Sequence, residues 1–175
     1  DHVHAIRKVF HRQLKVLWEQ HPILKSLRAA PPAYHLPPRP PVMQIFKRDG
    51  FNWLPIVHGD NGLICKVDVL LLRPGAPGDV LTDIDNRLKT IFDALRMTAT
   101  PQELRTKNSS VLTPNPGEDP FYVLLQDDKL ITHVSATGDM LLEPVPDSPP
   151  DNAVRLIISV VVRPYMPYAE TVGYA

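Results

Sequence analysis

The spacing of apolar residues changes several times along the 175-residue chain, and each change marks an element. Between residues 3 and 18, Val3, Ile6, Phe10, Leu14 and Leu17 recur at helical spacing, while Arg7, Lys8, His11, Arg12 and Lys15 collect on the other side. This predicts an amphipathic helix with its apolar stripe inward and its basic face in water. The stretch "PPAYHLPPRPP", residues 31 to 41, holds six prolines. They remove backbone donors and favour an extended path, so it reads as a stiff connector or surface arm. "VMQIFKR", residues 42 to 48, predicts a first strand, and "LICKVDVLLLRP" a stronger second one. In that second strand Leu63, Cys65, Val67, Val69 and Leu71 form one apolar face. Ile64, Leu70 and Leu72 share the opposite face with Lys66 and Asp68. "RPGAPGD" then turns the chain.

Helical spacing returns with Ile84, Leu88, Ile91, Phe92 and Leu95, and Thr82 or Asp83 suits the N-cap. On that helix Asp85, Lys89 and Asp93 stack at i, i+4 and i+8 along another face. Residues 97 to 120 are polar and rich in Pro, Ser and Asn, so a long loop is expected, with one helical turn at "PQEL". "FYVLL" predicts a strand running straight into Asp127 and Asp128, and "KLITHVSATGD" another. "NAVRLIISVVV" alternates Leu156, Ile158, Val160 and Val162 against Arg155, Ile157, Ser159, Val161 and Arg163, as a sheet strand does. The order of elements predicts an α+β fold with a mixed, mainly antiparallel sheet and packed helices. The length fits one domain over residues 1–175: a basic N-terminal helix region 1–30, the proline-rich arm 31–41, and a core 42–165 carrying the polar insertion 97–120.

Composition narrows the setting. The single cysteine, Cys65, lies in an apolar run, which excludes an internal disulfide framework and predicts a buried thiol in a reducing compartment. That run is too short to cross a bilayer, and "DHVHAIRKVFHRQLK" lacks the apolar centre of a signal peptide. A cytoplasmic protein without a membrane partner is expected. The histidines lack the spaced partners of a metal site, so structural roles are expected for His2, His4, His11 and His133. Net charge is zero, but nine of the 19 Lys and Arg residues fall in residues 1 to 48 against Asp1 and Glu19 alone, leaving ten against seventeen acids in the remainder. A basic flank beside a carboxylate-rich centre suits a phosphate-bearing partner, with Arg7, Lys8, Arg12 and Lys15 as the candidate DNA contacts. The same face reads equally well as an ordinary solvated one.

The candidate chemistry centres on "TDIDNRLK", residues 82 to 89. A hard divalent cation such as Mg2+ takes oxygen ligands, often one or two carboxylates completed by phosphate and water. Asp83 and Asp85 offer that chemistry from one segment, and Asp127 and Asp128 from another. Lys89, one helical turn beyond Asp85, could stabilise charge that develops on a phosphate under attack, or simply pair with Asp85 across the turn. An EF-hand loop starting at Asp83 needs Gly and Glu where Leu88 and Ala94 stand, and "RPGAPGDVLTD" matches no phosphate-binding glycine pattern. Both alternatives fail.

The longer string "DIDNRLKTIFDAL", followed by "QDD" at the end of a strand, resembles the RusA family of Holliday junction resolvases over roughly residues 63 to 139. The resemblance implies a homodimeric, Mg2+-dependent endodeoxyribonuclease cutting branched DNA, with Mn2+ as a substitute ion. Asp83, Asp85 and Asp128 would be its catalytic, metal-holding aspartates, Asp127 a further metal ligand, Lys89 the catalytic lysine, and Asp93 the aspartate of the Phe-Asp-Ala-Leu continuation. The chain departs from the family pattern in the insertion 97–120, in the absence of a basic lead-in beyond Arg73, and in its N-terminal helix and arm. A non-catalytic DNA-binding or accessory module that retains the fold is the alternative.

Overall fold

A computed structural model describes residues 2–29, 43–74, 84–106, 110–143 and 154–166. The proline-rich arm 31–41 and the capping positions Thr82 and Asp83 lie outside them. Three helices are described: α1 (His2–Gln20), α2 (Pro22–Ala29) and α3 (Ile84–Leu95). The strands are β1 (Phe46–Arg48), β2 (Phe51–Val57), β3 (Leu63–Arg73), β4 (Phe121–Leu125), β5 (Ile131–Met140) and β6 (Arg155–Pro164). Neither α2 nor β2 is among the elements expected from the sequence.

The strands form two three-stranded sheets, β1-β2-β4 and β5-β3-β6. In each, one pairing is parallel (β2 with β4, β3 with β5) and one antiparallel (β1 with β2, β3 with β6). The fold is therefore α+β and mixed, but not mainly antiparallel. The reason lies between β2 and β4, where β3, α3 and the segment after it supply the long crossover that a parallel pair requires.

The two sheets share their strands' path. β2 leads into β3 through a short turn at Gly59–Asn61, and β4 leads into β5 through another at Asp128–Leu130, so two bent strands run side by side. The first ladder ends at Val57 opposite Leu125, and the second starts at Cys65 opposite Ile131. Gln126 stitches the bend: its amide donates to the Val57 carbonyl (2.9 Å), while its Oε1 accepts from the Gly59 amide (2.8 Å). At the other end, β1 and β2 are joined by Asp49 and Gly50 at φ 52° and 80°. Both residues are left-handed, the turn whose twist matches a hairpin and which favours Asp-Gly.

Two apolar clusters hold these layers. The larger joins Cys65, Val67 and Val69 of β3 to Ile91 and Leu95 of α3, to Trp18 of α1 and to Leu24 of α2. Cys65 is fully buried, and burial pushes its thiol up to about 11, as expected of a core cysteine. The second cluster contains Phe51, Trp53, Phe121 and Val123 with Met97 and Leu104. Part of the insertion is thus core rather than loop: Met97, Thr98 and Leu104 are buried, and the expected turn at Pro101–Leu104 is present.

Helix α1 is oriented differently from the expectation. It buries His4, Arg7, His11 and Trp18, a stripe at helical spacing. The His4 ring lies 5.7 Å from those of Phe51 and Phe121, and His11 lies 4.4 Å from Phe121. The backbone amide of Tyr122 donates to His11 Nδ1 at 2.9 Å, which fixes the neutral tautomer with its proton on Nε2. Val9, Val16 and Leu17 are instead exposed. Phe10 and Leu14 of the expected stripe do pack against the larger cluster, and with Ile6 they line an open apolar groove of about 620 Å³ against Leu156, Ile158 and Val160 of β6. Aromatic and ionic partners on β2, β4 and the insertion draw in the basic side, an outcome hydropathy spacing does not register.

Candidate metal and phosphate site

All five residues of β4 are buried, so the strand delivers the chain to a fixed point. Just past it, Asp127 caps the short turn Asp128–Leu130 by accepting from the Lys129 amide at 3.0 Å, and Leu130 anchors the turn in the core. Partial burial works against the charge on Asp127, but the Lys129 amide and its ammonium, 3.5 Å from Oδ2, outweigh that and hold the carboxyl below its ordinary range. Asp127 and Asp128 line one cleft of about 240 Å³ with Gln126, Ala99, Arg48 and Arg96. Two carboxylates and two guanidiniums therefore share a polar recess at the bend between the sheets.

The two arginines differ in their ties. Arg96 pairs with Asp93 and with Glu103 (3.3 Å) and donates to the Met97 carbonyl at 2.8 Å. Arg48 donates one N–H to the Thr98 carbonyl at 2.8 Å and forms no ion pair among the described residues. Its backbone is held as well, because Trp53 Nε1 donates to the Arg48 carbonyl at 3.1 Å and Thr98 Oγ1 donates to Asp49 at 3.0 Å.

The expected site residues divide into groups. Asp127 and Asp128 come together. Asp83 lies outside the described residues. Asp85 and Lys89 project from the start of α3, both exposed and not paired with each other, and neither lines the cleft. Helix α3 does contact the Asp128–Leu130 turn. Among the described residues no three His, Cys, Asp or Glu side chains gather as a metal-holding group. Helical rather than loop backbone from Ile84 onward agrees with the failed EF-hand match.

Among the four expected DNA contacts, Arg7 requires correction. Arg7 is fully buried: it pairs with Glu103 at 3.0 Å and donates to the carbonyls of Asp93 (2.6 Å) and Arg96 (3.0 Å). It is a structural arginine and cannot reach a phosphate. Lys8 pairs with Glu118 at 3.3 Å, and Lys15 reaches the Gly117 carbonyl at 3.4 Å. Arg12 is exposed. Asp93 likewise belongs to the Arg7 and Arg96 network, not to the cleft.

Sequence reasoning missed Arg48, Arg96 and Gln126. The signal for Arg48 was present in "FKRDGFNW", where Asp-Gly between two apolar runs marks a two-residue hairpin and puts Arg48 at its rim. Nothing local to Arg96 or Gln126 indicates their position.

The cleft's donors suit a hard dication. Asp127 and Asp128 supply oxygen ligands, and one or two carboxylates with water and phosphate are the usual protein share for Mg2+. No helix among the described residues is long and apolar enough to cross a membrane. No family model matches the chain, and comparisons with curated proteins and with solved structures likewise find no match.

Proposed function

We propose that the chain is a metal-dependent endodeoxyribonuclease of the RusA kind, hydrolysing phosphodiester bonds in branched DNA. The observation that carries the reading is the paired Asp127 and Asp128, fixed at the end of buried β4 in an open polar cleft, on the turn that α3 contacts. Asp127 and Asp128 would hold Mg2+ or Mn2+ together with Asp85 at the start of α3 and Asp83, two residues before Asp85 in the sequence. A divalent ion held there would supply a water nucleophile and charge stabilisation for hydrolysis of a phosphodiester. Lys89, which makes no ion pair with Asp85, is available to the same developing charge. The family resemblance adds a homodimer, which the mass of the protein in solution tests directly.

The deciding experiment is cleavage of a labelled four-way junction, with a linear duplex control, in Mg2+ and in Mn2+, using wild type beside Asp85→Asn. Metal-dependent cutting by wild type alone supports the reading. Binding without cutting in any metal supports the accessory-module alternative instead.

A further inference from the structure

Arg48 is the cleft arginine that no carboxylate of the described residues neutralises. Arg96 is neutralised by Asp93 and Glu103, and Asp127 by Lys129. Arg48 lines the same recess as Asp127 and Asp128, yet among the described residues its only side-chain partner is the Thr98 carbonyl. An arginine beside two carboxylates ordinarily closes on one of them with two parallel hydrogen bonds. Here the exposed Arg48 makes no such bond. Its backbone sits at the rim of a two-residue turn, fixed by Trp53 on one side and by the Asp49 to Thr98 bond on the other, and Thr98 is itself buried.

The cleft has the size and the charges of a ligand site. A cleft of about 240 Å³ holds several water-sized groups, each taking about 30 Å³ in the liquid. The lining brings the guanidiniums of Arg48 and Arg96 and the carboxylates of Asp127 and Asp128 to one recess. A dication suits the carboxylates, and an anion suits that ion and the Arg48 guanidinium together. Arginine's planar fork matches a phosphate's paired oxygens, and with one N–H given to Thr98 the remaining donors are unused.

We propose that Arg48 is a phosphate-binding residue that holds a phosphodiester of the DNA in the cleft it shares with Asp127 and Asp128; this rests on the nuclease reading of those aspartates. Arg48 positions the phosphate and the aspartates hold the ion. The hairpin β1–β2 is thereby a substrate-binding element and not only an edge of the sheet.

The test compares wild type with Arg48→Ala, Arg48→Gln and Arg48→Lys. Junction cleavage is followed in Mg2+, and junction binding by anisotropy in Ca2+ across a salt series. The Gln variant keeps a donor for Thr98 while removing the charge, so it reports on phosphate even if the Ala variant loosens the hairpin. The Gln variant should keep its melting temperature, and both Ala and Gln should lower cleavage at subsaturating junction by about tenfold to a hundredfold through weaker binding, with a salt slope shallower by about one contact. Lys should recover part of the binding. A wild type that cuts, with Gln and Ala variants equal to it in rate and slope, overturns the proposal and leaves the nuclease reading intact. Binding that depends on Arg48 without cutting in any metal overturns the nuclease reading and leaves Arg48 as a phosphate contact. A wild type that neither cuts nor binds overturns both.

Discussion

Two groups of arginines and carboxylates lie on either side of the end of α3, and they are built in opposite ways. In the first, Arg7, Arg96, Asp93 and Glu103 meet at hydrogen-bond distance, and Ala99 donates its amide to Glu103 at 2.9 Å. In the second, Arg48, Asp127 and Asp128 line one open cleft with no ion pair between the arginine and either carboxylate. The first group is partly buried and centres on a wholly buried Arg7, which also lies 5.8 Å over the Trp53 ring. Charges that satisfy one another inside a fold join elements: here α1, α3 and the Pro101–Leu104 turn. Charges kept apart at an open surface are available to a ligand. The same side-chain types thus give a clamp in one place and a candidate site in the other, and substitution should separate the two roles.

The largest effects come from crossing the roles. Asp128→Asn should lower junction cleavage by a thousandfold or more, on the order of 4 kcal/mol of transition-state stabilisation, with the melting temperature unchanged because Asp128 is exposed. Cleavage assays beside a thermal melt check both halves, and full activity would remove Asp128 from the site. Arg7→Ala should do the reverse. Losing the Arg7 bonds to the Asp93 and Arg96 carbonyls and to Glu103, and leaving a cavity, is expected to destabilise the fold by about 2–5 kcal/mol, read as a lower urea midpoint. Arg7→Met, which refills the space without a charge, should cost less. If Arg7→Ala instead leaves stability intact but weakens DNA binding, the basic face of α1 regains the role that burial denies it.

How much of this comparison was legible in the sequence depends on distance along the chain. Local patterns were readable: the strand of Cys65, the helix of Ile84 to Leu95, the turn at "PQEL" and the approach of "FYVLL" to Asp127 all stand in the structure. Partnerships across the chain were not. Arg7 meets Glu103 96 residues away, and no periodicity in α1 signals that a basic residue will be buried there while Val9 and Leu17 are left out. The insertion misled for a related reason. Residues 97–120 are polar on average, yet Met97 and Leu104 occupy the core with Phe51, Trp53 and Phe121. A few buried side chains fix a segment, and composition averages them away. The carboxylate pair was legible because its chemistry is carried by adjacent residues. Arg48 was not, since its relation to that pair arises only when β2 and β4 lie side by side.

A smaller effect should appear with acid, and it belongs to the buried face rather than to the cleft. Burial holds the His4 imidazole at about 4 instead of 6.5, and neighbouring Arg7 and Lys8 add to the depression. His11 is lowered as well, by burial first, and accepts from Tyr122 only when Nδ1 carries no proton. Both groups are depressed in the folded state, so the unfolded chain takes up their protons first. Stability is fully present above pH 6.5 and is lost as pH falls toward 4, by about 3 kcal/mol for His4 alone. Denaturant titrations at pH 7, 5.5 and 4.5 measure the slope, and His4→Phe, which keeps a ring between Phe51 and Phe121, should flatten it. An equal slope in wild type and His4→Phe would assign the acid sensitivity to other groups. The depressed Asp127 and Glu118 carboxyls act lower, since their stabilising charge is lost only as pH passes below the usual carboxylate range.

The smallest effect sharpens the comparison most. Lys89 and Asp85 stand one turn apart on α3, both exposed and not paired with each other. A purely structural pair at that spacing would stabilise the helix by a few tenths of a kcal/mol at most, and Lys89→Ala would then change the melt slightly and cleavage not at all. If Lys89 instead meets charge that develops on the phosphate, turnover should fall by about tenfold or more while junction affinity in Ca2+ stays within about twofold, because the contact exists only in the transition state. Arg48→Gln should give the opposite signature, with affinity and salt slope changing together. Finding the affinity loss at Lys89 and the turnover loss at Arg48 would exchange the two assignments and place the scissile phosphate nearer the start of α3 than the rim of the hairpin.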